Sequence, residues 1–207
     1  MNIINASYEI MDELDGKEIL KKLERVARTC YKSEDKITDG SAERLVRALC
    51  KSKHEAMLEH FSFSVKFIVD RGVSHELVRH RIASFAQEST RYCNYGGNGI
   101  TVIKPCYMDE GSVEYKLWEN MCWEAEDAYI ALIQAGKKPE EARAVLPTSL
   151  KTEVVMTANL REWRHFFKLR ALELTGKAHP QMVEVALPLL KEVQAKIPVV
   201  FDYLVTE

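Results

Sequence analysis

The chain has 207 residues, of which 46% are hydrophobic and 29% are charged, and its formal net charge is −2. This composition excludes a disordered chain and a strongly basic nucleic-acid-binding protein, and the length predicts a single domain over 1–207. No apolar run approaches the roughly 20 residues that cross a bilayer. The first residues do not resemble a secretory signal, so we expect a cytoplasmic protein without a membrane partner.

Helix and strand periodicities follow one another irregularly in the first half of the chain. Apolar residues at helical spacing predict amphipathic helices over 17–31 and 42–52. Strict alternation over 61–69 predicts a strand with one buried face. A short helix is expected over 73–82, running into the Arg-His-Arg segment, and 83–99 is interpreted as a polar loop that ends in glycines.

The second half is predicted to be richer in helices. The expected elements are short strands over 100–103 and 152–158 and helices from 113 to Gly136, from Pro139 to Pro147, over 160–172 and over 180–197. Pro188 lies inside the last helix and predicts a kink or a break. Because no GxGxxG follows a strand and no P-loop is present, the fold class expected is α+β, non-Rossmann, with an antiparallel sheet and several packed helices.

The cysteines and the histidines do not show a metal-binding spacing. The five cysteines are widely separated, contain no CxxC pair and are expected to be mostly buried thiols. His54 and His60 flank two glutamates but are six residues apart, whereas HExxH requires histidines four apart on one helical face. No metal is therefore expected, and buried, hydrogen-bonded histidines are the alternative interpretation of this cluster.

The densest polar segment, 79–92, carries three arginines, a histidine and three Ser or Thr hydroxyls within 14 residues. Arg79 and Arg81 point to different sides of a helix, and each presents a planar fork of donors suited to a phosphate or a ring carbonyl. Ser89 and Arg91 are two residues apart, so an extended chain aims both at one ligand. The alternative is a solvated basic helix end that pairs with nearby acids.

Two further segments carry cations beside apolar residues. Arg143 lies among small apolar residues before Pro147, where we expect it to be half-buried against either an anionic ligand or an internal acid. In the helix predicted after 159, the side chains of Arg161, His165 and Lys168 share one face. The aromatic residues of the same helix are expected to face the core.

Arg79-His80-Arg81, seven residues and then Ser89 resemble the RHR-x7-S signature of flavin-dependent thymidylate synthases. The similarity runs from about Arg25 to about Gln181. The segments that extend it, in order, are His54, Glu59-His60, Arg91-Tyr92, Ala142-Arg143-Ala144-Val145-Leu146-Pro147, Asn159-Leu160-Arg161, Lys168-Leu169-Arg170, His179 and Gln181. The ordered set is much more specific than the signature alone.

The resemblance implies an α+β homotetramer with active sites between subunits and with FAD bound outside any Rossmann fold. The cofactor-binding residues it implies are His54, Arg79, His80, Arg81, Gln87, Asn159, Arg161 and His165. The substrate-binding residues it implies are Glu76, Arg79, Gln87, Glu88, Ser89, Arg91, Arg143 and Arg170. Arg170 and Ser89 are assigned to catalysis, Arg170 as the cation that polarises the pyrimidine at N3 and Ser89 as an orienting group.

The chain departs from the family pattern at a few of these positions. Ala86-Gln87 stands where many members have asparagine-glutamate, Glu76 where glutamine is common, His165 where asparagine is found, and Ala56 where a hydroxyl residue is usual. Glu76, Gln87 and His165 nevertheless keep polar side chains.

The reaction implied by the resemblance is reductive methylation of dUMP to dTMP. Its partners are dUMP, 5,10-methylenetetrahydrofolate as carbon donor, and NADPH or NADH, which reduces the FAD; no nucleic acid is expected. Two other classes of function are weighed against it. A nucleic-acid-binding module using the RHR helix requires a broad basic face, which the net charge of −2 disfavours. A helical interaction protein would bind neither flavin nor a small molecule.

Overall fold

Strands and helices form where the apolar periodicity predicts them, with several additional short elements. The computed structural model describes residues 1–202 and 204. The strands are β1 Asn2–Ile4, β2 Ser7–Ile10, β3 Ser62–Asp70, β4 Ala83–Gln87, β5 Thr101–Ile103 and β6 Lys151–Asn159. The α-helices are α1 Gly16–Thr29, α2 Ser41–Lys51, α3 Arg71–Leu77, α4 Val113–Gln134, α5 Pro139–Ala142, α6 Leu160–Arg170 and α7 Pro180–Lys196. Short 3-10 turns lie at Glu34–Lys36, Glu55–His60 and Arg143–Val145.

Four strands form one sheet in the order β2-β3-β6-β4. Strands β3 and β6 run antiparallel, because partner numbers fall along β6 as they rise along β3: Leu160 N–H donates to Phe61 O at 3.0 Å, and Arg71 N–H donates to Leu150 O at 3.1 Å. A separate pair, β1 and β5, is parallel, with Ile3 opposite Val102. The predicted α+β fold class with an antiparallel sheet is confirmed, and the short parallel pair is an additional element.

The chain divides into two compact units. The first contains Met1–Tyr8, Lys66–Arg79 and Phe85–Val155, and the second contains Glu9–Val65, His80–Ser84 and the described residues from Met156 onward. A single domain over 1–207 therefore stays a prediction. Within the part of the chain that the structure describes, no helix is both long enough and apolar enough to cross a membrane.

Each unit has its own apolar packing. In the first unit, Ile100, Val102, Cys122 and Leu150 form a buried cluster. In the second unit, Trp163 of α6 stacks on Phe63 of β3 with ring centroids 4.8 Å apart, and its indole N–H donates to the Phe63 carbonyl at 3.2 Å. The aromatic residues of α6 are thus in the core, as predicted, and this contact fixes α6 against the sheet.

Several expectations about local structure need correction. Strand β4 occupies the beginning of the predicted 83–99 loop, and α3 ends at Leu77, so the Arg-His-Arg segment lies outside a helix. Helix α7 continues through Pro188 without a break, with Val185 and Leu189 buried on either side of it, and the kink expected at this proline stays a prediction. The cysteines are all free, but they are not mostly buried, since Cys30 and Cys106 are exposed and Cys93 is only half-buried.

Candidate active site

Helix α6 presents a polar face to a cavity of about 460 Å³ in the second unit, hereafter the α6 cavity. The helix begins at its N-cap Asn159, whose Oδ1 accepts a hydrogen bond from Glu162 N–H at 2.9 Å. Arg161, His165 and Lys168 all line the cavity, which confirms that they share one helical face. Glu55 and Glu59 of the 3-10 turn Glu55–His60 contribute acidic groups to the same wall.

A second cavity of about 380 Å³, hereafter the His54 cavity, lies in the same unit and shares Glu55 and Arg161 with the first. Its wall is more apolar and includes Leu49 and Met57 beside His54. The α6 cavity offers the cations Arg161 and Lys168 to a diphosphate, and the His54 cavity offers apolar walls to aromatic rings. Because the two cavities share residues, one ligand that contains both groups can occupy them together. These residues therefore fit a flavin dinucleotide.

Arg161 is the cation common to the two cavities, and it is half-exposed. Its Nη1 donates to Glu59 Oε1 at 2.5 Å, and its Nε lies 3.9 Å from Glu55 Oε2. Exposed pairs of this kind contribute only about 0–1 kcal/mol. An anionic ligand can therefore replace Glu59 at the guanidinium with little loss of stability.

His80 lies at the centre of a buried polar chain that ends at Arg170. Its Nδ1 is 3.1 Å from Glu162 Oε1, and its Nε2 accepts a hydrogen bond from Arg170 Nε–H at 3.2 Å. The imidazole also packs edge-on against Phe166, with ring centroids 5.1 Å apart. His80 is only 4% exposed and Glu162 is 6% exposed.

Burial shifts the pKa values of both His80 and Glu162. Desolvation lowers the pKa of His80 to about 4, with further lowering by the neighbouring Arg170 and His165. Desolvation raises the pKa of Glu162 above its ordinary value. His80, Glu162 and His165 have ligand atoms within 4.8 Å of one another. Both ring nitrogens of His80 already have partners, however, so this cluster does not offer the lone pairs that a metal needs.

The first unit holds the predicted substrate-binding residues from Gln87 to Arg143, whereas Arg170 belongs to the second. Gln87 Nε2 donates to Ser74 Oγ at 3.0 Å and to Thr152 Oγ1 at 3.2 Å. Ser74 Oγ donates its own hydrogen to the Arg71 carbonyl at 2.8 Å, so it must accept from the amide. The orientation of the amide is thereby fixed, and Gln87 retains its carbonyl oxygen as an acceptor.

Glu88 is held by groups of its own unit. Its Oε1 accepts from Tyr95 Oη at 3.0 Å, and its Oε2 accepts from Lys151 Nζ at 3.0 Å. Burial and the carboxylate of Glu88 raise the pKa of Tyr95, which therefore remains a donor at neutral pH. Glu88 is thus tied into a structural network, and its substrate-binding role stays a prediction.

Ser89, Arg91 and Arg143 lie around the turn that follows β4. Ser89 Oγ accepts from Arg91 N–H at 3.3 Å, and the Arg91 guanidinium lies 3.3 Å from Glu140 Oε2. Arg143 is exposed rather than half-buried as predicted, because the short helix α5 ends before it, and its Nη1 donates to Thr90 Oγ1 at 3.2 Å. Two exposed cations therefore flank the serine of the signature.

The remaining predicted residues are at the surface. Arg79, Arg81 and His54 are exposed, and Glu76 is half-buried near the end of α3. The exposure of His54 and His60 argues against the alternative in which both are buried, hydrogen-bonded histidines.

Residues 11–199 match the family model described as thymidylate synthase complementing protein. The chain belongs to this family. It is 33% identical over 182 residues to the flavin-dependent thymidylate synthase of Geobacter sulfurreducens, covering 84% of this chain and 77% of the relative. It is 32% identical over 214 residues to the enzyme of the same name from Corynebacterium glutamicum, covering 95% and 83% of the two chains.

A solved structure extends the family comparison to three dimensions. The UMP/dUMP methylase PolB from Streptomyces cacaoi, bound with 5-Br dUMP, superposes with a TM-score of 0.81 at 25% identity, covering 98% of this chain and 96% of PolB. The family assignment therefore holds for the fold as well as for the sequence.

Two residues that line the α6 cavity, Glu162 and Arg164, were missed by the sequence analysis. Both lie on α6 and are almost completely buried. Buried charged residues are uncommon unless they are paired, and a charge that falls on the apolar face of a predicted helix is the signal that identifies them. Their partners, His80 and Glu55, are far away in sequence and cannot be identified from the helix alone.

Asn159 is expected to have two separable roles, one in capping α6 and one toward the cofactor. Asn159→Ala removes the cap and should lower the free energy of unfolding by about 1 kcal/mol, measured by urea denaturation. Asn159→Asp keeps the capping oxygen, so its stability should match the unmodified protein, while it loses the amide donors available to a ligand. Equal stability of the alanine variant would show that the cap contributes nothing.

Proposed function

We propose that this protein converts dUMP to dTMP by reductive methylation, with 5,10-methylenetetrahydrofolate as the carbon donor and FAD, reduced by NADPH or NADH, as the hydride source. The observation that carries the proposal is the placement of Asn159, Arg161 and His165 around a charged cavity at α6, with Arg170 at the end of that helix and hydrogen-bonded to His80. Family membership and the likeness to PolB, a UMP/dUMP methylase, support the choice of substrate.

Flavin binding is assigned first to side chains of the second unit. His54, Asn159, Arg161 and His165 line the two cavities that suit an aromatic dinucleotide. When bound, the reduced flavin supplies the hydride that the methylation requires. The resemblance adds His80 and Arg81 as further contacts to the flavin. It also assigns Arg79 and Gln87 to both FAD and dUMP.

The dUMP phosphate is assigned to exposed cations of the first unit. Arg91 is paired with Glu140 at 3.3 Å, but both side chains are largely exposed, so the pair adds little stability and a dianionic phosphate can displace the acid. Arg143 donates to the neutral Thr90 hydroxyl, and its guanidinium charge is suited to a phosphate. Glu76, Gln87 and Glu88 remain proposed contacts to the nucleotide.

Arg170 is assigned to the reacting ring. The C5 position of uracil becomes a better nucleophile when negative charge builds at N3 and O4, and a fixed cation stabilises that charge. Arginine stays protonated at all physiological pH values, so Arg170 acts electrostatically rather than as a base. Ser89 accepts from a backbone N–H, an arrangement that suits an orienting hydroxyl rather than a nucleophile activated by a base.

A homotetramer with sites between subunits and a cytoplasmic location are parts of the same proposal. The nucleic-acid-binding alternative loses its geometric basis, because the RHR segment lies between α3 and β4 and not on a helix that can enter a groove.

The test is tritium release from dUMP labelled at C5. The mixture contains the purified protein, FAD, NADPH and methylenetetrahydrofolate, and matched mixtures omit either the flavin or the folate. Release that requires both supports the proposal. Absence of release from protein that has taken up no flavin would overturn it.

A further inference from the structure

We propose that Glu162 is a positioning residue that holds His80 in one tautomer and, through it, fixes the guanidinium of Arg170. The chain Glu162–His80–Arg170 consists of two hydrogen bonds, 3.1 Å and 3.2 Å long, one on each nitrogen of the imidazole. The importance of this chain for catalysis rests on the role proposed above for Arg170.

The position of the proton on the His80 imidazole follows from its hydrogen bond with Arg170. The Nε of Arg170 always carries a hydrogen and can only donate, so His80 Nε2 must be an unprotonated acceptor. A neutral imidazole with a bare Nε2 carries its proton on Nδ1, and that proton points at Glu162 Oε1. Glu162 Oε1 is therefore the acceptor of this bond, a role that a carboxylate oxygen fills.

The surroundings support this arrangement of protons. The ionisable groups that face His80 are Glu162, His165 and Arg170, and all three lie on α6. Burial and the cation of Arg170 lower the pKa of His80 to about 4, so the ring is neutral at physiological pH. A protonated His80 would direct a hydrogen at Arg170 Nε–H, and the two groups would repel each other.

The backbone contact and the burial of Glu162 show why it can act as an anchor. Its own N–H is bonded to the N-cap Asn159 at 2.9 Å, and its side chain is 6% exposed. A buried carboxylate with one strong donor partner has few alternative positions. Glu162 is therefore a more rigid support for the imidazole than a solvent-exposed acid would be.

The test uses nuclear magnetic resonance of histidine nitrogens in the flavin-free protein, which contains only six histidines. The unmodified protein should show His80 with a protonated Nδ1 and a bare Nε2 down to a pH of about 5, together with a slowly exchanging Nε–H of Arg170. Glu162→Leu, which removes the acceptor at similar volume, should shift His80 toward the Nε2–H form and weaken the Arg170 signal. Glu162→Gln keeps an acceptor oxygen and should retain the original tautomer.

Two results would overturn the proposal: an Nε2–H tautomer in the unmodified protein, or unchanged His80 and Arg170 signals in Glu162→Leu. If the leucine variant does not fold, the tautomer of the unmodified protein still decides. The measurement uses neither flavin nor substrate, so it tests the role of Glu162 even if the protein does not catalyse the proposed reaction. In active protein, Glu162→Leu should lower kcat by about 10–100-fold, by analogy with the loss of a partner that orients a metal-bound histidine, with recovery in Glu162→Gln.

Discussion

Arg170→Ala is expected to reduce kcat for thymidylate formation by about 10²–10³-fold, the usual consequence of removing one preorganised donor from a charge-stabilising site. The guanidinium is held by Nε to His80 at 3.2 Å, so its charge is fixed before substrate binds. Arg170→Lys keeps the charge but loses the planar fork and the Nε–H, and it should recover only part of the activity. Tritium release and steady-state kinetics measure both variants.

The matched control is Arg44→Ala, which removes an exposed arginine from α2 that lines neither cavity. Its turnover should lie within about twofold of the unmodified protein, since surface substitutions have small effects. Flavin absorbance of each variant separates a loss of cofactor from a loss of chemistry. Full turnover in Arg170→Ala at normal flavin content would contradict the polarising role.

The sequence predicts the long elements because each buries one regular face. Strand β3 alternates between buried residues such as Phe63 and half-exposed ones, and the helix from 113 extends close to its predicted end. Strands β1, β2 and β4 were not predicted because they have three to five residues and little burial. Strands this short are specified by their pairing partners rather than by their own periodicity.

The candidate site was predictable to the extent that it lies on one helix. The spacing of Arg161, His165 and Lys168 is enough to place them on one face of α6. The bond between His80 and Glu162 joins residues 82 positions apart, so it depends on the packing of the second unit and not on any local pattern. The resemblance implies that His80 and Arg170 are site residues, but it does not point to Glu162, the carboxylate bonded to His80.

Arg164→Met is expected to lower the free energy of unfolding by about 3–5 kcal/mol, because it leaves a half-buried carboxylate without its principal partner. Arg164 is 1% exposed, and its Nε and Nη2 lie 3.0 Å and 2.9 Å from Glu55 Oε1. Its Nη1 also donates to the Val200 carbonyl. Urea denaturation measures the loss, and Lys137→Met, which removes an exposed pair with Glu141, is the control and should change stability by less than about 0.5 kcal/mol.

The double variant Glu55→Met/Arg164→Met separates two contributions to the free energy of unfolding: the stabilisation by the ion pair and the penalty of an unpaired buried charge. Replacing both partners of a buried pair by apolar residues is often neutral, so the double variant should regain most of the stability lost in Arg164→Met. A loss below about 1 kcal/mol in the single variant would mean that water reaches Glu55 once the arginine is gone. A double variant as unstable as the single one would instead assign the loss to the bond with Val200, because that carbonyl lacks its donor in both.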